Sequence, residues 1–185
     1  LEAATMNCVT RNVADLSVAA ASWSLAAPFV SDSLRSRFVA AQRRFVDNFA
    51  AAHRRGDGQY ANGLFSGREY DLAYSAATSA QISCLVTLAR ATREDSYLRA
   101  AETSARALLT EWNDSGRPLL HPFDKDAVDA VRPTQFHDLY YVLDALLWVR
   151  AASKDASLRA SIDQALRWYV SGRDGLLATL AESPH

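Results

Sequence analysis

The chain repeats itself, and a repeat restricts the fold more than any single motif. Shifted by 60 positions, Arg90 falls on Arg150, Ala91 on Ala151 and Asp95 on Asp155. The same shift brings Leu98 onto Leu158, Arg99 onto Arg159, Ala100 onto Ala160, Ala105 onto Ala165 and Asp114 onto Asp174, with no gap. Alanine matches carry little weight in an alanine-rich chain. The Asp, Leu-Arg and Asp matches carry more, because they fall at corresponding punctuation. A third copy lies upstream, where Asp32-Ser33-Leu34-Arg35 corresponds to Asp95-Ser96-Tyr97-Leu98-Arg99 and to Asp155-Ala156-Ser157-Leu158-Arg159.

Each copy places Asp or Ser just before an apolar-periodic run. That is a helix start, where a side-chain oxygen accepts an orphan backbone N–H and negative charge suits the helix dipole. Each run is followed by a glycine turn: Asp57-Gly58, Asp114-Ser115-Gly116 and Asp174-Gly175. Glycine supplies the left-handed backbone that stops a helix. The reading is six helices, over about 11–27, 33–54, 71–92, 96–112, 135–152 and 156–171, with a partial helix at about 176–182. Long loops, Arg55–Glu69 and Asn113–Pro133, follow the second helix of a pair. Short turns at Val30–Asp32, Arg93–Asp95 and Ser153–Asp155 join the two helices of each pair. The expected fold class is therefore all-α. Three consecutive helical hairpins form an α/α solenoid or partial toroid, one domain with repeats at about 10–66, 67–132 and 133–185.

The apolar stripes agree. Leu139, Val142, Leu143, Leu146 and Leu147 lie at helical spacing, as do Leu98, Ala101, Ala105, Leu108 and Leu109. Leu158, Ile162, Ala165, Leu166 and Tyr169 form a third such set. The chain has 185 residues, of which 49% are hydrophobic and 22% charged, enough to bury a core without disulfides or metals. Net charge is −1, so no long-range field draws nucleic acid, and no nucleic-acid partner is expected. No apolar run approaches membrane-spanning length, so no membrane association is expected. Cys8 and Cys84 are too few for a disulfide framework or a four-cysteine zinc site; Cys84 reads as a buried thiol, with a Cys8–Cys84 bridge as the alternative.

Candidate chemistry lies on the first helix of each hairpin, which carries a second, polar stripe. In the second hairpin it reads Asp71, Tyr74, Thr78 and Gln81; in the third, His137, Asp138, Tyr141, Asp144 and Trp148. The repeat places Thr78 on Asp138 and Gln81 on Tyr141, so one face is polar in both copies. The upstream counterpart is weaker: Thr10, Ser17, Ala21 and Ser24. Pockets mix aromatic walls with a few convergent polar groups, and such a face could line one; a solvated helix face is the competing reading. Asp144 is the most informative residue. It sits mid-helix between Leu143 and Ala145, where no cap is needed. If its face is covered, its charge needs a partner such as Tyr141 or an arginine. A structural pair and a general-acid role both fit. The candidate catalytic carboxylates are Asp138, Asp144 and Asp71. The candidate binding residues are His137, Tyr141, Trp148, Tyr74, Gln81 and, in the second long loop, His121. Asp71 and Asp138 also fit as first-turn acids that balance a helix dipole.

Specific motifs are absent: no phosphate-binding glycine loop, no HExxH, no CxxC and no Gly-x-Ser-x-Gly. Asp124-Lys125-Asp126-Ala127-Val128-Asp129 lacks the glycine and closing glutamate of a calcium loop. No metal and no cofactor is expected.

The segment from Tyr70-Asp71-Leu72 to Asp114-Ser115-Gly116-Arg117-Pro118 resembles one hairpin of the α/α-toroid superfamily. That group includes six-hairpin glycosidases, sugar epimerases, some polysaccharide lyases and terpene-cyclase-type toroids. The likeness rests on a polar–aromatic first helix, the turn Thr92-Arg93-Glu94-Asp95-Ser96-Tyr97-Leu98, an alanine-rich second helix and Trp112-Asn113-Asp114-Ser115-Gly116. It runs through all three repeats. It implies a carbohydrate-active enzyme working through carboxylates on the leading helices, with a saccharide or other small molecule as ligand. A non-catalytic helical-repeat binding domain, or a small cyclase or isomerase with an aromatic-lined pocket, are the alternatives. A full toroid has about twelve helices and this chain has room for about six. The resemblance thus implies half a ring, a piece of one, or a protomer completed by a second copy or a second helical domain.

Overall fold

The computed structural model describes residues 11–65, 68–110 and 136–171, with side chains for 12–63, 74–110 and 139–171. The fold is all-α. Among the described residues six α-helices run in order: α1 (Val13–Ala26), α2 (Asp32–Arg44), α3 (Ser75–Thr92), α4 (Asp95–Thr110), α5 (Phe136–Ala152) and α6 (Ala156–Val170). They pair as three hairpins. The leading helices α1, α3 and α5 lie side by side with α3 in the middle, and α2 and α4 pack behind α3. α6 packs on both α4 and α5.

Of the predicted helix caps, one holds its place, and Asp32 and Asp95 stand instead inside the first turns of α2 and α4. Asp155 caps α6, its carboxylate accepting the Leu158 N–H at 3.0 Å. The cap of α2 is Ser31, one residue earlier than expected, and Asp32 stands in the first turn. Asn12 caps α1, accepting the Asp15 N–H at 2.7 Å. α3 ends differently from the glycine pattern: Arg93 itself adopts the left-handed conformation, φ 61°, and returns its N–H to the Ala89 carbonyl. α2 runs on through a wide turn, Phe45–Ala50, where the Ala51 N–H reaches back five residues to the Val46 carbonyl. Its bulge stacks Phe45 on Phe49 and sets the His53 ring tilted against Phe49. The glycine turns predicted at Asp114-Ser115-Gly116 and Asp174-Gly175, and the partial helix at 176–182, lie outside the described residues.

One part of the sequence reading is corrected. The stretch Arg55–Glu69 is not simply a loop, and residues 71–73 are not helical. A small antiparallel sheet forms from β1 (Arg11–Asn12), β2 (Ala61–Phe65) and β3 (Arg68–Ala73), in the order β1-β2-β3. Gly63, at φ 78°, sits at an irregularity of the β2–β3 register and pairs with both Asn12 and Tyr70. Gly58 turns the chain before β2 at φ +90°, and a Cβ there would stand 3.0 Å from the Thr103 methyl of α4. The Ser104 hydroxyl donates to the Gly58 carbonyl at 2.7 Å, docking this turn on α4. β3 feeds straight into α3: Tyr74 is the residue before the helix, in extended backbone, with its N–H on the Tyr60 carbonyl.

The core centres on α3. Every residue from Ser75 to Leu88 is buried, so this helix is covered on all sides. Its composition explains how: Ala, Ser, Thr and Cys alternate with Ile82, Leu85, Val86 and Leu88, letting neighbours approach closely. From α5 come Val142, Ala145, Leu146 and Val149; from α4 and α6, Ala101, Ala105, Leu108, Leu158, Ile162 and Ala165. Of the predicted α5 stripe, Leu139, Val142 and Leu146 are buried and Leu143 is half-buried. Leu147 is 48% exposed, because it lies on the side of α5 turned away from the core. Fully burying a leucine-sized side chain contributes about 1.5–3 kcal/mol, and this cluster supplies most of the packing.

Candidate functional site

α3 meets its two leading neighbours along two seams, and they are chemically unlike. On the α1 side, the Ser17 hydroxyl donates to the Gln81 amide oxygen at 2.7 Å, with both residues fully buried. Gln42 of α2 enters from behind, also fully buried. Its amide nitrogen donates to the Cys84 carbonyl and to the Thr87 hydroxyl, both at 2.9 Å, and its oxygen accepts the Ser24 hydroxyl. Cys84 is a free thiol, not bridged to Cys8, and burial pushes its pKa up to about 12. A thiol held protonated in this way is no nucleophile.

The α5 side is half open. Tyr141, Asp144 and Trp148 recur at helical spacing and share one side of α5. Each is partly exposed. The Ser83 hydroxyl of α3 donates to the Asp144 carboxylate at 2.8 Å. One turn earlier on α3, the Ser79 hydroxyl is buried without a hydrogen-bond partner. Nearer the helix ends, the Arg90 guanidinium lies over the Trp148 ring, 5.4 Å from its centre. Towards the starts of α3 and α5, Tyr141 packs on a cluster that contains Tyr60, Tyr74, Ala76, Ala77 and Ala80. Tyr140, 65% exposed, stands beside Tyr141 with ring centres 6.0 Å apart.

The predicted site residues distribute as follows. Tyr141, Asp144 and Trp148 share the open side of α5 along the seam, and Tyr74 is buried in the cluster on which Tyr141 packs. Gln81 lies instead in the buried α1–α3 seam, held by Ser17. Thr78 is also interior, its hydroxyl oxygen accepting the Tyr60 N–H at 2.9 Å. Asp71 belongs to β3 and not to a first helical turn, because the chain is still paired with β2 there. His137 and Asp138 occupy the first turn of α5, as expected, and their side chains lie outside the described residues. His121 lies outside them altogether.

Two functional-looking residues escaped the sequence reading. Ser83 sits inside the apolar run Ile82-Ser83-Cys84-Leu85-Val86 and reads as core. Its spacing of 61 residues from Asp144, one off the repeat, was the available signal. Arg90 registered only as a repeat match to Arg150. The two arginines differ in partner: Arg150 pairs with Asp163 across the α5–α6 hairpin, whereas Arg90 makes no ion pair among the described residues.

No group of three or more metal-ligating side chains forms among the described residues. No described helix is long and apolar enough to cross a membrane. Comparison with protein-family models, curated proteins and solved structures finds no match to this chain.

Proposed function

We propose that this chain is a helical-hairpin domain that binds a hydroxyl-rich small molecule, of saccharide type, along the α3–α5 seam. The observation that carries this is the Asp144 carboxylate, oriented by Ser83 and flanked by Tyr141 and Trp148 on a partly exposed helix face. A carboxylate accepts from adjacent sugar hydroxyls, and aromatic rings pack on the apolar faces of a pyranose; this pairing is what a polar small-molecule site needs. The α/α-toroid resemblance supports the same ligand class. It also supports extending the α1-α3-α5 row into an arc closed by a second copy or a second helical domain.

Calorimetric titration with a panel of neutral and acidic oligosaccharides tests the reading. Asp144→Asn keeps the shape and the Ser83 contact while removing the charge. It is expected to weaken binding about tenfold or more, since hydrogen bonds to charged groups contribute about 1.5–3 kcal/mol. Tyr141→Ala should weaken it too. Absence of binding to every member of the panel, or an Asp144→Asn variant that binds as wild type, removes the proposal.

A catalytic reading has one specific support. Glycoside hydrolysis takes two carboxyl groups, about 5–5.5 Å apart for retention and about 6.5–9.5 Å for inversion. Asp71 and Asp138 belong to the segments that enter α3 and α5, the two helices forming the seam. With either as second carboxylate, the domain is a glycosidase-type enzyme. Reducing-sugar release from the bound oligosaccharide, abolished in Asp144→Asn and in one of Asp71→Asn or Asp138→Asn, distinguishes this from binding alone. Binding that persists with no release leaves the non-catalytic domain.

A further inference from the structure

A cavity of about 530 Å³ opens at the far end of the same row of helices, where the short turns lie. Its walls come from four helices and the turn after α1: Ser24 and Leu25 of α1, Ala27 and Pro28, Arg35 and Val39 of α2, Thr87, Arg90 and Ala91 of α3, and Trp148 of α5. The walls are mostly apolar. At the floor is the network in which buried Gln42 binds the Ser24 and Thr87 side chains.

Its two charges are both positive. The Arg35 Nε–H donates to the Ala27 carbonyl at 3.0 Å, which fixes the guanidinium at the rim. Its ion-pair partner, Asp32, is 94% exposed, so that pair is weak and solvent-screened. Arg90 is anchored only by the Trp148 ring and has no carboxylate among the described residues. The repeat makes this absence informative. Its counterpart Arg150 is neutralised by Asp163, and the position 60 residues before Asp163 is Thr103. The second hairpin thus keeps the arginine and lacks the acid.

We infer that this cavity is a binding site for a small organic anion: an aromatic or alkyl body with a carboxylate or phosphate head. The body packs on Leu25, Val39, Ala91 and the Trp148 edge. The head takes guanidinium hydrogen bonds from Arg90 and Arg35, which are stronger than neutral ones and suit planar or tetrahedral oxyanions. The site is independent of the Ser83–Asp144 pair, although Trp148 borders both.

The test is NMR of the full chain, following the Trp148 indole N–H, assigned with Trp148→Phe. Phenyl phosphate and benzoate are titrated beside benzyl alcohol, which has the ring without the charge, and inorganic phosphate, which has the charge without the ring. Phenyl phosphate or benzoate should bind about tenfold more tightly than either half alone, and Arg90→Gln should remove about that factor while Arg90→Lys restores part of it. Whichever of the two anions binds better identifies the head group. Asp144→Asn should leave this titration unchanged, which separates its failure from failure of the saccharide proposal. Equal binding of benzyl alcohol overturns the inference, and that comparison requires no variant. So does an Arg90→Gln protein that binds as wild type. Should Arg90→Gln not fold, Arg35→Gln is read in its place under the same criterion.

Discussion

The two seams of α3 are built from the same kind of helix pair and have opposite characters. Towards α1, polar side chains are neutral and mostly buried: Ser17 with Gln81, and Gln42 with Ser24, Thr87 and the Cys84 carbonyl. Towards α5, a carboxylate, a guanidinium and aromatic rings stand half in solvent. The difference follows from what each environment tolerates. A buried amide or hydroxyl costs far less than a buried charge, whose desolvation needs full compensation. Neutral polar groups can therefore glue one seam shut. The other keeps its charges only by staying open, and an open, charged, aromatic face is where a ligand can be recognised.

The largest expected effect tests whether the open seam still has a closed back. Leu146→Ala removes a fully buried side chain from the side of α5 facing the core. It should cost about 2–5 kcal/mol in urea denaturation, in keeping with core truncations that leave a cavity. A loss below about 0.5 kcal/mol, the range of surface substitutions, would mean that α5 is not packed as described. The next effect contrasts the seams directly. Gln42→Ala strands polar groups on two helices, α1 and α3, and should cost about 1–3 kcal/mol. Asp144→Ala leaves Ser83 beside solvent that can replace its partner, and should cost less than about 1 kcal/mol. If the two losses come out equal in the same urea series, the distinction between sealed and open seams is wrong.

The hairpins were legible because their punctuation is local. Asp155 caps α6 through a side chain that reaches only three residues along the chain, Asp32 and Asp95 fall in the first turns of α2 and α4, and a repeat multiplies each such signal. The β-hairpin before α3 was not. Asn62-Gly63 and Gly67 read as loop, and taking Asp71, Tyr74, Thr78 and Gln81 as one polar stripe carried the helix back over Asp71. What decides that segment is pairing with β2 and β1, including Arg11, more than fifty residues upstream, and no window along the sequence contains it. The site was legible in part for the same reason. Tyr141, Asp144 and Trp148 share a face by helical geometry alone. Which of Gln81, Ser83 and Arg90 turns towards α5 depends on the rotation of α3, and a helix buried on every side has no polar stripe from which to read it.

The smallest effect concerns the outer edge that holds α5 in place. Arg150 pairs with Asp163 of α6, and Asp155, which caps α6, pairs with Arg106 of α4. Asp155 is held well below its usual 3.8, at about 2, first by the Leu158 N–H, then by the Ser157 hydroxyl, with Arg106 adding attraction. Asp163 is lowered as well, chiefly by its hydrogen bond from Arg150. A carboxylate whose folded pKa is depressed stabilises fully above its unfolded value and loses that contribution as pH falls through the folded one. For Asp155 the window runs from 3.8 down to about 2. Asp155→Asn keeps an equally good cap and removes the titration. Its urea midpoint should fall slightly below wild type at pH 5, and the two should converge as the pH approaches 2. A gap that stays constant across that range would show that the cap hydrogen bond alone matters, and that the charges along the back of α5 contribute nothing to keeping its front face presented.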